Sequence, residues 1–224
     1  MKGKLIVIEG LDGSGKATQT KLLYEKLNIN GVNVKQITFP DYASNSSALV
    51  KMYLAGEFGS DPSDVNAYAA SAFYAVDRYA SYKKEWGDFY NNGGVITADR
   101  YTTSNAIHQC SKLPENKWDD FLKWLFDFEY DLLGIPAPDI VIYLKVGIDT
   151  SQSLITQRYA NTGEKKDIHE ANREYLNCSA YAADYCTQNL GWKTILCEKN
   201  GVMRTINDIH QEIRSLVLQY IEKS

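Results

Sequence analysis

Cysteine is scarce. Four occur in 224 residues, at 110, 178, 186 and 197, with no CxxC pair, and the three histidines, at 108, 169 and 210, do not gather around them. Cys110 and His108 are neighbours, but two side chains fall short of the four that hold a structural zinc. A disulfide scaffold and a zinc module are therefore excluded, and the expectation is four free thiols in a reducing cytosol. Long apolar runs are missing too. The opening MKGKLIVIEG has only five residues, 5–9, between a lysine and a glycine. That is too short for the apolar region of a signal peptide, and no stretch approaches the roughly 20 apolar residues of a membrane helix. A soluble, cytoplasmic protein without a membrane partner is expected. Nor is there an excess of positive charge: 24 Lys plus Arg against 28 Asp plus Glu leave a net charge of −4. No global basic field exists to hold a nucleic-acid duplex, so any phosphate bound here is bound locally. Only five prolines occur, scattered along the chain. No linker, internal repeat or low-complexity tract divides it, and a single domain over 1–224 is the expectation.

What is present is material for a core: 44% apolar and 12% aromatic residues. Short runs rich in Val and Ile predict strands at 5–9, 34–39, 95–99, 140–146 and 194–197. Most of these runs are continuous rather than alternating, as in strands covered on both faces. Helical patterns lie between them, at 15–28, 46–54, 62–86, 117–133, 150–159, 170–189 and 205–222. Strand and helix alternate throughout, which predicts an α/β fold with a five-stranded parallel sheet and helices on both faces. One connection differs in composition. NTGEKKDIHE, at 161–170, is polar and carries lysines and a glycine; it reads as a lid over about 158–170 or as a solvated turn.

The most specific signal follows the first strand. Gly10-Leu11-Asp12-Gly13-Ser14-Gly15-Lys16 opens a helix directly after an apolar run, the context a P-loop requires. Its glycines let successive backbone N–H groups point inward around an anion, the helix N-terminus adds partial positive charge, and Lys16 reaches the outer phosphates. The strict pattern places Ser or Thr after the lysine as a Mg²⁺ ligand, and here Ala17 stands there. Thr18 is rotated by about 100° along the helix and does not simply replace it. Either the loop no longer does chemistry, or the metal relies on carboxylates, waters and phosphate oxygens.

Three further groups of residues bear on function. Tyr74 and Arg78, four apart in the helix over 62–86 with Asp61 as its N-cap, share one face. An aromatic plane beside a five-donor fork suits a nucleobase, although an ordinary half-exposed helix would carry the same pair. Asp99-Arg100-Tyr101 closes the third strand at its carboxyl end, where parallel sheets bind ligands; the carboxylate suits Mg²⁺ and the arginine suits phosphate. Asn116-Lys117-Trp118-Asp119 matches a guanine-reading string, but it opens a helix rather than following a strand, and a GTPase is set aside.

GLDGSGKATQ at 10–19, Phe39-Pro40-Asp41-Tyr42, YLAGEFG at 53–59, FYAVDR at 73–78, DRYTTSN at 99–105 with Gln109, and PDIVIYL at 138–144 stand in one order and spacing. In that order they resemble the thymidylate kinases. The loop KKDIHE at 165–170 resembles the lid of some bacterial members. The resemblance implies a P-loop nucleoside-monophosphate-kinase fold, phosphoryl transfer from ATP to dTMP with Mg²⁺, and a homodimer. It implies that Gly10, Asp12, Gly13, Ser14, Gly15, Lys16, Ala17 and Thr18 surround the donor phosphates and that Asp99 serves the metal. By the same resemblance Tyr74 stacks on thymine, Arg78 reads a carbonyl, Asn105 and Gln109 approach the base, Asp12 meets the 3′-hydroxyl, and Phe39 and Tyr42 wall the acceptor site. Arg100 lies between donor and acceptor. Family members carry an arginine in the P-loop or in the lid; Gly13 occupies the P-loop position, so Arg158 is the first candidate for that charge and Lys165 and Lys166 the next. Another nucleotide kinase, or a nucleotide-binding regulator with a decayed site, are the alternatives.

Overall fold

The first strand shows why this chain forms a buried sheet. Leu5 and Val7 point to one side and Ile6 and Ile8 to the other, and all four are buried. Leu5 and Val7 join Trp86, Ile96, Tyr101 and Val141 in one cluster. Ile6 and Ile8 join Leu23, Leu27, Ile142, Ile213 and Val217 in a second on the opposite face. A computed structural model describes residues 2–162 and 168–221.

In chain order, β1 (Lys4–Glu9) leads through the glycine-rich turn into α1 (Lys16–Ile29) and back to β2 (Val34–Thr38). Next come α2 (Ala48–Leu54), α3 (Ala67–Ser81), the short α4 (Gly87–Asn91) and β3 (Val95–Asp99). The helices α5 (Thr102–Cys110) and α6 (Trp118–Phe126) precede β4 (Ile140–Lys145). Then α7 (Ile148–Thr162), α8 (Ile168–Ala171) and α9 (Arg173–Asn189) precede β5 (Lys193–Leu196). A two-stranded hairpin, β6 (Glu198–Lys199) and β7 (Val202–Met203), leads to α10 (Ile206–Ile221). The main sheet runs β2-β3-β1-β4-β5 with every pair parallel, the five-stranded α/β architecture expected. Ile8 is in register with Asp99, and Thr38 pairs with Asp99 from the other side. The register sets the phosphate loop, Asp99-Arg100 and Phe39 side by side at the carboxyl edge.

The helical reading of 62–86 needs correction. Asp61 caps only a 3-10 turn, Pro62–Asp64. Val65 is then extended, and α3 restarts with Asn66 Oδ1 accepting from the N–H groups of Tyr68 and Ala69. Two N-capping side chains five residues apart thus begin two separate elements, with Val65 between them. The stretch 117–133 is α6 followed by a π-helical turn, Asp127–Leu132. Among the described residues, α4, α5 and the hairpin stand outside the sequence reading. In α5, TTSNAIHQC places buried polar residues where an amphipathic pattern would have apolar ones, so periodicity does not reveal it. The four cysteines are free thiols, three of them buried. None of Asn116, Lys117, Trp118 and Asp119 lines the main cleft, in keeping with setting that string aside.

Candidate active site

The glycine-rich turn holds Gly10, Gly13 and Gly15 at φ of 156°, 76° and 87°. A Cβ at Gly13 would fall 2.8 Å from the carbonyl oxygen of Ser151. Glycine is thus required there on both conformational and steric grounds. Lys16, the first residue of α1, is buried; its Nζ donates to the carbonyl of Leu11 at 2.9 Å and lies 3.8 Å from Asp12 Oδ1. Burial lowers the Lys16 pKa, Arg100 adds to this, and Asp12 opposes it. Ser14 is buried with an unpartnered hydroxyl, and Ala17 and Thr18 both line the same cleft.

Arg100 adopts the left-handed backbone conformation, φ 66°, which is uncommon for a non-glycine residue. Its Nη2 donates to Asp12 Oδ1, its Nη1 donates to Ser104 Oγ at 3.3 Å, and Nη1 lies 3.3 Å from His108 Nε2. A guanidinium only donates, so His108 Nε2 accepts and the neutral ring carries its proton on Nδ1. Burial would raise the Asp12 carboxyl, but Arg100 and then Lys16 outweigh it and hold the group below the usual carboxylate range. The Arg100 pKa is raised: burial opposes its charge, but Asp12 and Glu9 more than offset it.

Asp99 is different. Its Oδ1 is buried without a hydrogen-bond partner, and burial raises its pKa against the pull of Lys16 and Arg100. A buried carboxylate oxygen that no protein group satisfies, beside a phosphate loop, fits a hydrated Mg²⁺, which takes one or two carboxylates and completes its shell with water and phosphate. Among the described residues no group of three or more His, Cys, Asp or Glu forms an all-protein cage.

These groups line one cleft of about 880 Å³, which Phe39, Tyr42, Tyr74, Arg78, Asn105 and Gln109 also line. Tyr74 and Arg78 share a face of α3, yet Arg78 is 1% exposed and largely committed. Its Nε and Nη2 each donate to Glu129 at 2.6 Å, and Nη1 lies 3.4 Å from the Tyr101 carbonyl. Glu129 also accepts from Thr102 at 2.8 Å and Asn105 at 3.3 Å. Gln109 is the opposite case: wholly buried, with neither end of its amide partnered. Phe73 turns away to pack on Tyr53 and Phe58.

Sequence reasoning missed Glu129, Glu9, His108 and His169. A signal existed for Glu129, which falls at helical spacing from the buried Phe121 and Leu125 and so marks a charge on an apolar face. Glu9 ends a buried strand with a carboxylate, which is the same kind of signal. The lid residues are only partly in view. Arg158 belongs to α7, but its side chain lies outside the described residues, as do Lys165 and Lys166 entirely. Leu154 and Tyr159 of α7 and His169 of α8, on either side of that segment, line the cleft.

A phosphate loop after the first strand of a parallel β2-β3-β1-β4-β5 sheet defines a P-loop protein of the nucleoside-monophosphate-kinase fold. The thymidylate kinase family profile matches residues 8–213. Thymidylate kinase of Mycobacterium tuberculosis is 31% identical over 195 residues, covering 86% of this chain and 90% of that protein. Thymidylate kinase of Plasmodium falciparum is 28% identical over 215 residues, covering 95% and 88%. The structure of the Candida albicans thymidylate kinase superposes with a TM-score of 0.73 at 20% identity, over 100% of this chain and 94% of that one, which speaks for the fold. The chain belongs to the thymidylate kinase family.

Proposed function

We propose that this protein transfers the γ-phosphoryl group of ATP to dTMP, giving dTDP, as a single-domain cytoplasmic homodimer with a bacterial-type lid. The observation that carries the reading is one cleft joining the phosphate loop and Lys16 to Asp99-Arg100 and to the unpaired amide of Gln109. The attacking atom is a phosphate oxygen that is already anionic, so the main obstacle is repulsion between two polyanions rather than a missing base. Lys16 and Arg100 neutralise that charge from fixed positions in a site sheltered from water. Asp99 is the residue that would hold Mg²⁺, which would supply further charge neutralisation. For the lid's charge on the donor, Arg158 is the first candidate and Lys165 and Lys166 the next. Tyr74 stacks on the base, with Arg78, Asn105 and Gln109 at its edge and Phe39 and Tyr42 as walls. Asp12, its Oδ1 held by Arg100, offers its other oxygen to the 3′-hydroxyl. Tyr68, Val76 and Tyr79, exposed on one side of α3, support the homodimer.

Ala17 favours a second reading, a nucleotide-binding regulator. A coupled assay with ATP, Mg²⁺ and each nucleoside monophosphate separates the two. Turnover with dTMP is expected, and Arg100→Ala lowers kcat about 100-fold or more. Equal turnover of AMP overturns the thymidylate reading, and no turnover of any monophosphate leaves the regulator.

A further inference from the structure

Glu9 closes β1 with a carboxylate that is 0% exposed. Oε1 accepts from the Gly10 N–H at 3.0 Å. Oε2 accepts from the hydroxyls of Thr103 and Ser104, both at 2.8 Å. These partners are the first residue of the phosphate loop and the first turn of α5, where a helix N-terminus favours negative charge. The Ser104 hydroxyl, while donating to Glu9, accepts from Arg100 Nη1, and Nη1 itself lies 3.8 Å from Glu9 Oε1.

The count of donors on Arg100 then matters. Of its five N–H groups, the two on Nη1 go to Ser104 and His108 and one on Nη2 goes to Asp12. The other two, one on Nε and one on Nη2, remain for a phosphate, which arginine can hold by two parallel bonds. A left-handed backbone at a non-glycine residue persists only where its surroundings hold it. Glu9 is the buried anion behind Nη1 of Arg100, reached through Ser104 and by the 3.8 Å approach of Oε1.

We propose that Glu9 is a positioning residue for phosphoryl transfer: through Ser104 and by direct attraction it pins Nη1 of Arg100 against β1, so that the Nε edge faces the acceptor phosphate. This rests on the kinase reading above. The test is a double-mutant cycle of Glu9→Gln and Arg100→Ala. Gln keeps the shape and a carbonyl acceptor for Gly10 but removes the charge. Glu9→Gln is expected to lower kcat about tenfold or more with the KM for ATP nearly unchanged, a loss of aim rather than of the loop. With Arg100 already truncated, Glu9→Gln is expected to cost almost nothing further. Losses that multiply, or a KM for ATP that rises as kcat falls, overturn the proposal. Should Glu9→Gln fail to fold in a melting scan, Ser104→Ala replaces it in the cycle, with the same coupling expected. The cycle is run with whichever monophosphate the wild type phosphorylates, and again in calorimetric affinity for dTMP. A wrong acceptor thus defeats the dTMP reading alone, while additivity defeats the role of Glu9.

Discussion

At Gly13 the left-handed φ of 76° and the nearby Ser151 carbonyl penalise any side chain. The P-loop therefore has no room for a side chain at this position without a shift of the Ser151 backbone. Gly13→Ala is expected to destabilise the protein by about 1–3 kcal/mol and to lower activity, because both the backbone conformation and the contact with α7 must give. Urea unfolding checks the first and the coupled assay the second; a variant as stable as the wild type contradicts the structural account. Arg78 illustrates what one residue's neighbours change. That it shares a face with Tyr74 is legible from a spacing of four. That two of its five donors are spent on Glu129 is not, because the partner lies 51 positions away.

Among the elements, α5 concentrates what the hydrophobic pattern hides. It carries Asn105, His108 and Gln109 into the cleft and supplies Thr103 and Ser104 to Glu9. His108 stacks on His169 of α8 with ring centroids 6.0 Å apart. His169 Nε2 lies 2.8 Å from the Tyr53 hydroxyl, which takes a 2.7 Å bond from Lys112. Burial, then Arg100, pushes His108 well below the usual histidine range. Burial, then Lys112, brings His169 down to about 3. Both rings stay neutral in the folded protein while the unfolded chain begins to bind protons near pH 6.5. Stability is therefore expected to fall as pH drops below 6.5, by up to about 1.4 kcal/mol per pH unit for each ring, and for His169 this continues toward about 3. Urea unfolding between pH 7 and 5, above most carboxylate titration, measures the slope, and His169→Gln should reduce it. A wild-type profile flat over that interval would show that the rings are not held neutral by the fold.

At the scale of the whole molecule, the net charge of −4 is compatible with two anionic nucleotides, because backbone N–H groups and a few basic side chains can bind such ligands locally. Binding to the folded state alone should raise its stability. With dTMP at about 100 times its Kd the gain is about 2.7 kcal/mol, a rise in Tm of roughly 5–10 °C for a chain of this size. A scan with dTMP that shows no shift, under conditions where ATP gives one, would remove dTMP from the cleft. The sequence alone determined the alternation of strands and helices, the phosphate loop with its missing hydroxyl at Ala17, and the shared face of Tyr74 and Arg78. Each depends on residues within a turn or a strand of one another, where covalent spacing dictates what meets. Only the tertiary structure decided that Arg100 meets Asp12, 88 positions away, that Glu9 stands behind it, and that Glu129 holds Arg78. Those contacts follow from the parallel register of β1 with β3 and the packing of α3 and α5 beside the sheet, and no local spacing encodes them.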